Sequence, residues 1–197
     1  MNYFVVNVRS GAEQKYLEFI SVTYDDAYTL HWLRRTLKVR KAGRTTERKA
    51  PIFPGYLFLA ADTVGPEDFS RLRKGPGFQR FLESNSNIRP LSDDDERMIL
   101  HFLSFGSVVS VSRVRFDRND RIVVVDGPLM GLEGRIEKVD KRKGRARVRL
   151  DLYKDSFAVD FGFEVLSKQP SENDAEGSPS ERATGANDTS TTADGER

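Results

Sequence analysis

Residues 120–150 read DRIVVVDGPLMGLEGRIEKVDKRKGRARVRL, and this stretch carries the strongest fold signal in the chain. A β-branched run is ended by Gly127-Pro128, and Gly131 and Gly134 permit close backbone approach. A basic turn then leads into a segment whose side chains alternate between charged and apolar. The stretch therefore predicts short antiparallel strands joined by glycine turns.

The same alternation continues through 145–152 and 157–165, which places one apolar face on each segment. Strands with this period surround a single core, and about five of them favour a small barrel, in which few sheet edges stay open. We therefore expect a barrel over 116–168. The Val- and Ser-rich stretch at 107–115 is expected to be a flexible linker after a first domain over 1–106.

The first domain is predicted to mix helices and strands. Apolar spacing and turn residues predict a strand at 3–8, a helix near 11–22, a basic β-hairpin within 30–49, a strand at 56–61, a helix at 65–74 and a strand within 75–82. Four acidic residues at 93–96 could suggest a cation site. Because Ser92 precedes Asp95 at capping-box spacing and acids favour helix N-termini, we expect a helix there and no metal.

Composition narrows the class of protein. The chain has no Cys, which excludes disulfides and thiolate metal sites and suits a reducing cytoplasm. It has no run of about 20 apolar residues, so no membrane span is expected, and its N-terminus lacks a signal-peptide pattern. His31 and His101 lie in separate elements, and no phosphate-binding glycine loop is present. We expect a binding protein, not an enzyme, with no cofactor.

Charge is distributed unevenly along the chain. Residues 34–49 hold eight basic residues and one acid, whereas 171–197 hold seven acids and two arginines. A concentrated basic segment favours phosphate polyanions. Residues 170–197 contain no large apolar side chain, so 169–197 is expected to be a disordered acidic tail.

The segment after the basic hairpin reads IFPGYLFL at 52–59. In a strand, Tyr56 and Phe58 share one face while Leu57 and Leu59 share the other. Both faces cannot be exposed to solvent. Either these aromatic residues are simply core, or their face is a docking surface, because exposed aromatics bury a large area at low entropic cost.

Several motifs together resemble the NusG family of bacterial transcription elongation and antitermination factors. YFVVNVRSGAEQKYLEFI, IFPGYLFL, GPGFQRFL and PLSDDDERMI occur in that order ahead of a KOW motif, whose glycine corresponds to Gly134. The resemblance covers 1–168. It implies an α+β N-terminal domain, with an antiparallel sheet flanked by helices, plus an all-β SH3-like KOW barrel. It also implies a monomeric, cytoplasmic bacterial protein that is associated with the nucleoid during transcription.

The resemblance also implies binding residues. The N-terminal domain would dock on the clamp helices of the largest RNA polymerase subunit and suppress pausing and termination, using Tyr3, Phe53, Tyr56 and Phe58. The KOW barrel would bind ribosomal protein S10 or the termination factor Rho through Leu152 and Tyr153, with the alternative from the strand alternation that Leu152 is core. Some paralogues hide the docking face under a refolded, helical C-terminal domain; the alternation over 145–165 favours strands here.

Two branches of the family differ in how they are recruited. The blocks APIFPGYLFL and DGPLMGLEGRIEKVDKRKGRARVRL and the basic hairpin favour a specialised paralogue, which a nascent RNA hairpin or exposed non-template DNA recruits to particular operons. The nucleic-acid-binding residues would be Lys15, Arg34, Arg35, Lys38, Arg40, Lys41 and Arg44. One alternative is a general factor that couples polymerase to Rho or the ribosome. Another is a ribosome-associated KOW protein that binds RNA.

Overall fold

The first part of the chain forms a four-stranded sheet with helices on its two faces. The computed structural model describes residues 1–41 and 43–166, without the side chain of Lys41. The elements of this part are β1 (Asn2–Val8), α1 (Glu13–Tyr24), β2 (Thr29–His31), β3 (Arg34–Lys41), β4 (Arg44–Pro51), β5 (Tyr56–Ala61), α2 (Pro66–Leu72), β6 (Phe78–Phe81) and α3 (Asp93–Leu103). The sheet order is β2-β5-β1-β6, with every pair antiparallel.

The two faces of β5 pack against different partners, as its alternation predicts. Leu57 and Leu59 join a core with Tyr16 and Ile20 of α1. Tyr56, Phe58 and the preceding Phe53 join a second core that also holds Ile99 and Phe102 of α3. The sheet therefore separates a helix-covered core from an aromatic core.

The acidic segment begins α3. The hydroxyl of Ser92 accepts a hydrogen bond from the backbone N–H of Asp95 at 3.3 Å, and four acids occupy the first turn. Among residues 1–41 and 43–166, no three His, Asp or Glu side chains form a group that could hold a metal ion. The predicted helix start is confirmed.

The basic hairpin is a regular antiparallel ladder from Arg34 opposite Pro51 to Lys41 opposite Arg44. A short strand, β7 (Val108–Val109), pairs in parallel with β3 and extends the hairpin to three strands. This strand and the start of the next one lie within 107–115, where we expected a linker. The serines of this segment suggested an exposed linker, but Ser112 is buried. Its hydroxyl accepts a hydrogen bond from the backbone N–H of Leu129 at 3.0 Å.

The second part is a five-stranded barrel-like sheet. It comprises β8 (Ser112–Phe116), β9 (Ile122–Asp126), a 3-10 turn (Glu133–Arg135), β10 (Ile136–Asp140), β11 (Arg145–Leu152) and β12 (Asp155–Val165). The strand order is β10-β11-β12-β8-β9, in which only the β12–β8 pair is parallel. Alternate residues of β11 are buried. An α+β part followed by a strand-rich KOW-type barrel confirms the predicted fold class.

The two parts share one continuous core, and Met1–Leu166 form a single compact unit. Phe102 of α3 stacks on Phe161 of β12, with ring centroids 5.5 Å apart. The predicted acidic tail lies outside the described residues. In the described part of the chain, no helix is both long and apolar enough to span a membrane.

Candidate functional site

The predicted docking residues lie on one face of the first sheet, and we call Tyr3, Phe53, Tyr56 and Phe58 the aromatic face. Tyr3 lies on β1 on the same side as Val5, which is opposite Phe58 across the ladder. The rings of Phe53 and Phe58 meet edge to face at 5.8 Å. The structure therefore brings Tyr3 of β1 onto the same face as Phe53, Tyr56 and Phe58, which lie around the start of β5.

The barrel and α3 together cover most of the aromatic face, and Phe102 of α3 meets the Phe53 ring edge to face at 6.4 Å. Phe53 is 1% exposed, Tyr56 5% and Phe58 0%, whereas Tyr3 is only partly buried. Phe157 of β12 lies over the face, with its ring centroid 5.2 Å from Phe53 and 5.6 Å from Tyr56. Part of the face is thus hidden by a barrel whose described residues form strands.

A polar contact joins the aromatic face to the barrel. The Tyr56 hydroxyl donates a hydrogen bond to a carboxylate oxygen of Asp155 at 2.6 Å. Burial and this hydrogen bond raise the pKa of Tyr56 to about 12. The phenol therefore stays protonated and remains a donor at physiological pH.

The β11–β12 turn makes a second set of contacts with the first part. Tyr153 has a left-handed backbone, with φ 58°. Its backbone N–H donates to Asp95 at 3.1 Å, and its hydroxyl donates to Glu83 at 2.8 Å. Leu152 is fully buried in the core. The structure thus separates the predicted pair: Tyr153 is held against the first part, and Leu152 is core.

A buried carboxylate that sequence reasoning missed fixes the Pro-Gly turn of the aromatic face. Glu13 is 2% exposed and accepts the backbone N–H groups of Gly11 and Gly55, each at 2.7 Å. Gly55 has φ +80°, and a Cβ there would lie 2.7 Å from the Val8 carbonyl oxygen. Glu13 and Gly55 therefore set the geometry in which Phe53 and Tyr56 share one face.

Three of the residues predicted to bind nucleic acid already contact other residues of the protein. Arg34 lies over the Trp32 ring at 4.5 Å. Arg35 donates to the backbone carbonyls of Pro51 and Asp160, and burial lowers its pKa to about 10. Lys38 forms an ion pair with Glu164 of the barrel. Arg35 and Lys38 therefore fasten the hairpin to the barrel, whereas Arg34 stacks on a ring two residues earlier in the chain.

The remaining predicted cations are distributed over two elements. Arg40 and Arg44 are exposed near the end of the hairpin, and Lys15 is exposed on α1. Because α1 packs on the opposite face of the sheet from the aromatic face, Lys15 is separate from the covered surface. Lys41 is outside the described side chains.

These features define a class: a two-part protein in which a KOW-type barrel rests on the aromatic face of an α+β sheet domain. The family model described as "Transcription termination factor nusG" matches residues 1–100. The chain is 30% identical over 150 residues to "Transcription termination/antitermination protein NusG" of Streptococcus pyogenes serotype M1, covering 72% of this chain and 82% of that one.

The chain is also similar to a second relative and to a solved structure. The protein of the same name from Thermus thermophilus is 25% identical over 138 residues, covering 67% of this chain and 75% of that one. The solved structure named "Domain interaction in Thermotoga maritima NusG" is 17% identical, with a TM-score of 0.45, and the match covers 82% of this chain and 93% of that chain. The chain belongs to the NusG family.

Proposed function

We propose that this chain is a transcription elongation and antitermination factor that binds the clamp helices of RNA polymerase through its aromatic face. The names of its relatives, transcription termination/antitermination proteins, support this role. The observation that carries the proposal is the cluster of Tyr3, Phe53, Tyr56 and Phe58 on one rigid sheet face. Clustered aromatics on a rigid element are good interface anchors.

Docking and barrel packing compete for the same side chains, so polymerase binds the form in which the barrel has moved away. The barrel touches the face through a few groups, and the two parts also share a buried core and the Phe102–Phe161 stack. Two edge-to-face contacts of Phe157 contribute about 0.5–1.5 kcal/mol each beyond area burial. The hydrogen bond from Tyr56 to the exposed Asp155 adds about 1 kcal/mol. A partner that binds only the open form has to offset these contributions together with the other contacts between the two parts.

Opening also releases the barrel for a second partner. Tyr153 would lose its contacts with Asp95 and Glu83 and present its ring at a turn. We assign this ring to the barrel's partner, ribosomal protein S10 or Rho. Leu152, being core, supports the turn from beneath.

Recruitment is proposed to involve the exposed end of the basic hairpin, with Arg40 and Arg44 contacting phosphates of an RNA hairpin or of non-template DNA. Arg34, Arg35 and Lys38 position the hairpin instead, since they are already bound within the protein. Phosphate contacts place a protein on nucleic acid but do not read sequence. Operon choice therefore needs additional base contacts.

Co-purification with RNA polymerase tests the docking role. Tagged wild-type chain is expected to retain polymerase, and Tyr56→Ala is expected to lose most of it, because the ring is an anchor. Met130→Ala is the matched control, since it removes a large side chain that is 44% exposed on the barrel. Failure of polymerase to co-purify, or retention by Tyr56→Ala, would remove the docking role.

A general factor is the second candidate, and the names of the relatives favour it. Nascent-transcript sequencing distinguishes a general factor from a specialised one. Deleting a specialised factor changes read-through in one or a few operons, whereas deleting a general factor shifts it across the genome. Arg40→Gln with Arg44→Gln should reproduce the deletion at the same operons. The control pair is Arg118→Gln with Arg121→Gln, which removes equal charge from another exposed turn.

A further inference from the structure

A cleft of about 560 Å³ separates the basic hairpin from the turn between β10 and β11. Lys38, Arg40 and Thr45 line the hairpin wall, and Arg142, Lys143 and Arg145 line the barrel wall. A smaller cavity of about 110 Å³ shares Lys143 and Arg145 with the cleft, and its lining also includes Asp140 and Asp160. Each of the two parts of the chain thus supplies one side of a single basic surface.

The cleft holds more positive charge than the protein neutralises. Lys38 pairs with Glu164 and faces Glu47 across the hairpin ladder, and Lys143 pairs with Asp140 at 3.5 Å. Within the described residues, Arg40, Arg142 and Arg145 have no ion-pair partner within 4.0 Å.

Of these three groups, Arg145 is the best placed to bind an anion in the cleft. Its Nε is buried and has no hydrogen-bond partner among the described residues. The Asp160 carboxylate is close enough to attract both Arg145 and the buried Arg35, but it forms its ion pair with Arg147. An anion in the cleft gives the Arg145 guanidinium an additional partner.

We propose that the cleft binds the phosphodiester backbone of a single nucleic-acid strand, with the hairpin and the barrel turn contacting neighbouring phosphates. Small-molecule sites are mostly apolar, whereas Val39 is the one apolar residue recorded in this lining. None of the described lining residues is aromatic, so bases have no stacking platform there. Recognition is therefore of the backbone and independent of sequence.

Because the walls belong to different parts of the chain, a bound strand favours the closed arrangement. By reciprocity it opposes polymerase docking, which needs the open one. Non-specific strands then keep the factor closed, and only a signal read through further contacts leads to docking. The proposal rests on the nucleic-acid role proposed for the hairpin, but not on polymerase binding.

The test is the salt dependence of binding of the full chain to a fluorescein-labelled oligouridine of about twelve nucleotides. Each phosphate contact on a single strand adds about 0.7 to the slope of log affinity against log salt. Arg142→Gln with Arg145→Gln should therefore reduce the slope by about 1.4 and weaken binding about twentyfold near 0.1 M salt.

Two further double variants distinguish a loss of phosphate contacts from a loss of folding. Arg40→Gln with Arg142→Gln changes one exposed side chain on each wall and should weaken binding to a similar extent. Arg135→Gln with Arg149→Gln removes the same charge from the other end of the β10–β11 ladder and should leave the slope unchanged.

The outcomes separate this inference from the proposed function. If Arg40→Gln with Arg44→Gln weakens binding but Arg142→Gln with Arg145→Gln does not, the hairpin role stands and the composite cleft is wrong. If no variant weakens binding, both are wrong.

The nature of the strand is tested with the matching oligothymidine and a duplex. Equal binding of the two single strands means that either RNA or DNA supplies the phosphates, whereas tighter RNA binding indicates contact with the 2′-hydroxyl. Binding of duplex alone contradicts the single-strand proposal. As a second readout, oligouridine should weaken polymerase binding by the wild-type chain.

Discussion

The Tyr56 hydroxyl donates a 2.6 Å hydrogen bond to Asp155, and this contact links the first sheet to the barrel. One residue lies on the aromatic face and the other at the start of β12, 99 residues further along the chain. The side chain proposed to dock on polymerase is therefore also a contact that keeps the barrel in place. Closing and docking are mutually exclusive uses of one residue.

Tyr56→Phe should favour opening without removing the docking ring. Asp155 is exposed and can bind water instead. Removing the hydroxyl therefore destabilises the closed arrangement by about 1 kcal/mol, the net value of an ordinary hydrogen bond. Polymerase affinity, measured by biolayer interferometry with the full chain, should rise up to about fivefold.

Tyr28→Phe is the matched control for that measurement. Its hydroxyl also donates to a carboxylate, that of Asp68 at 3.0 Å, but both groups lie in the first part of the chain. This variant should leave polymerase affinity unchanged. Equal effects of Tyr28→Phe and Tyr56→Phe would mean that the link to Asp155 does not control docking.

Stability at acid pH should depend on Asp160. Its hydrogen bond and ion pair with Arg147, and the nearby charges of Arg145 and Arg35, hold its pKa below the ordinary 3.8. A lowered pKa gives stability that is fully present above the unfolded value and is lost as pH falls through the folded one. In urea unfolding, the free energy of unfolding should therefore fall less between pH 5 and pH 3 for Asp160→Asn than for the wild type.

The exposed Asp62, whose side chain is 88% accessible, supplies the control for the acid measurement. Asp62→Asn should keep the wild-type pH dependence. An Asp160→Asn variant with the full wild-type loss of stability would show that the contacts of Asp160 do not matter for acid unfolding.

Glu13→Gln should destabilise the first part of the chain. The buried carboxylate accepts two backbone N–H groups, and an amide nitrogen would face one of them as a second donor. An unsatisfied buried donor costs about 1–3 kcal/mol of unfolding free energy. Chemical denaturation should detect the loss, while Glu18→Gln, at an exposed position of the same helix, should change little. A neutral Glu13→Gln would mean that the turn at Gly55 is held by other contacts.

Local pattern was sufficient to predict much of the fold. Alternation along β5 predicted its two faces, because a strand has period two whatever it packs against. Ser92 predicted the start of α3, because capping acts over one helical turn. Both signals are short-range, and both predictions are confirmed.

Contacts between distant segments were not predictable in this way. Phe157 fits the alternation of β12, and no periodicity shows that its ring meets Phe53, about one hundred residues earlier. Arg35 and Lys38 looked like free cations, but their partners are on β12. Val108–Val109 is too short to be predicted as a strand without its partner β3.

The central claim is that the barrel covers the face that docks on polymerase, and the affinity of Phe157→Ala for purified RNA polymerase tests it most directly. Removing the ring deletes two contacts with the aromatic face, worth about 1.4 kcal/mol together, so affinity should rise about tenfold. Adding Phe53→Ala should abolish the gain, and far-ultraviolet circular dichroism should confirm that the barrel remains folded. Unchanged or weaker polymerase binding by a folded Phe157→Ala would contradict the claim.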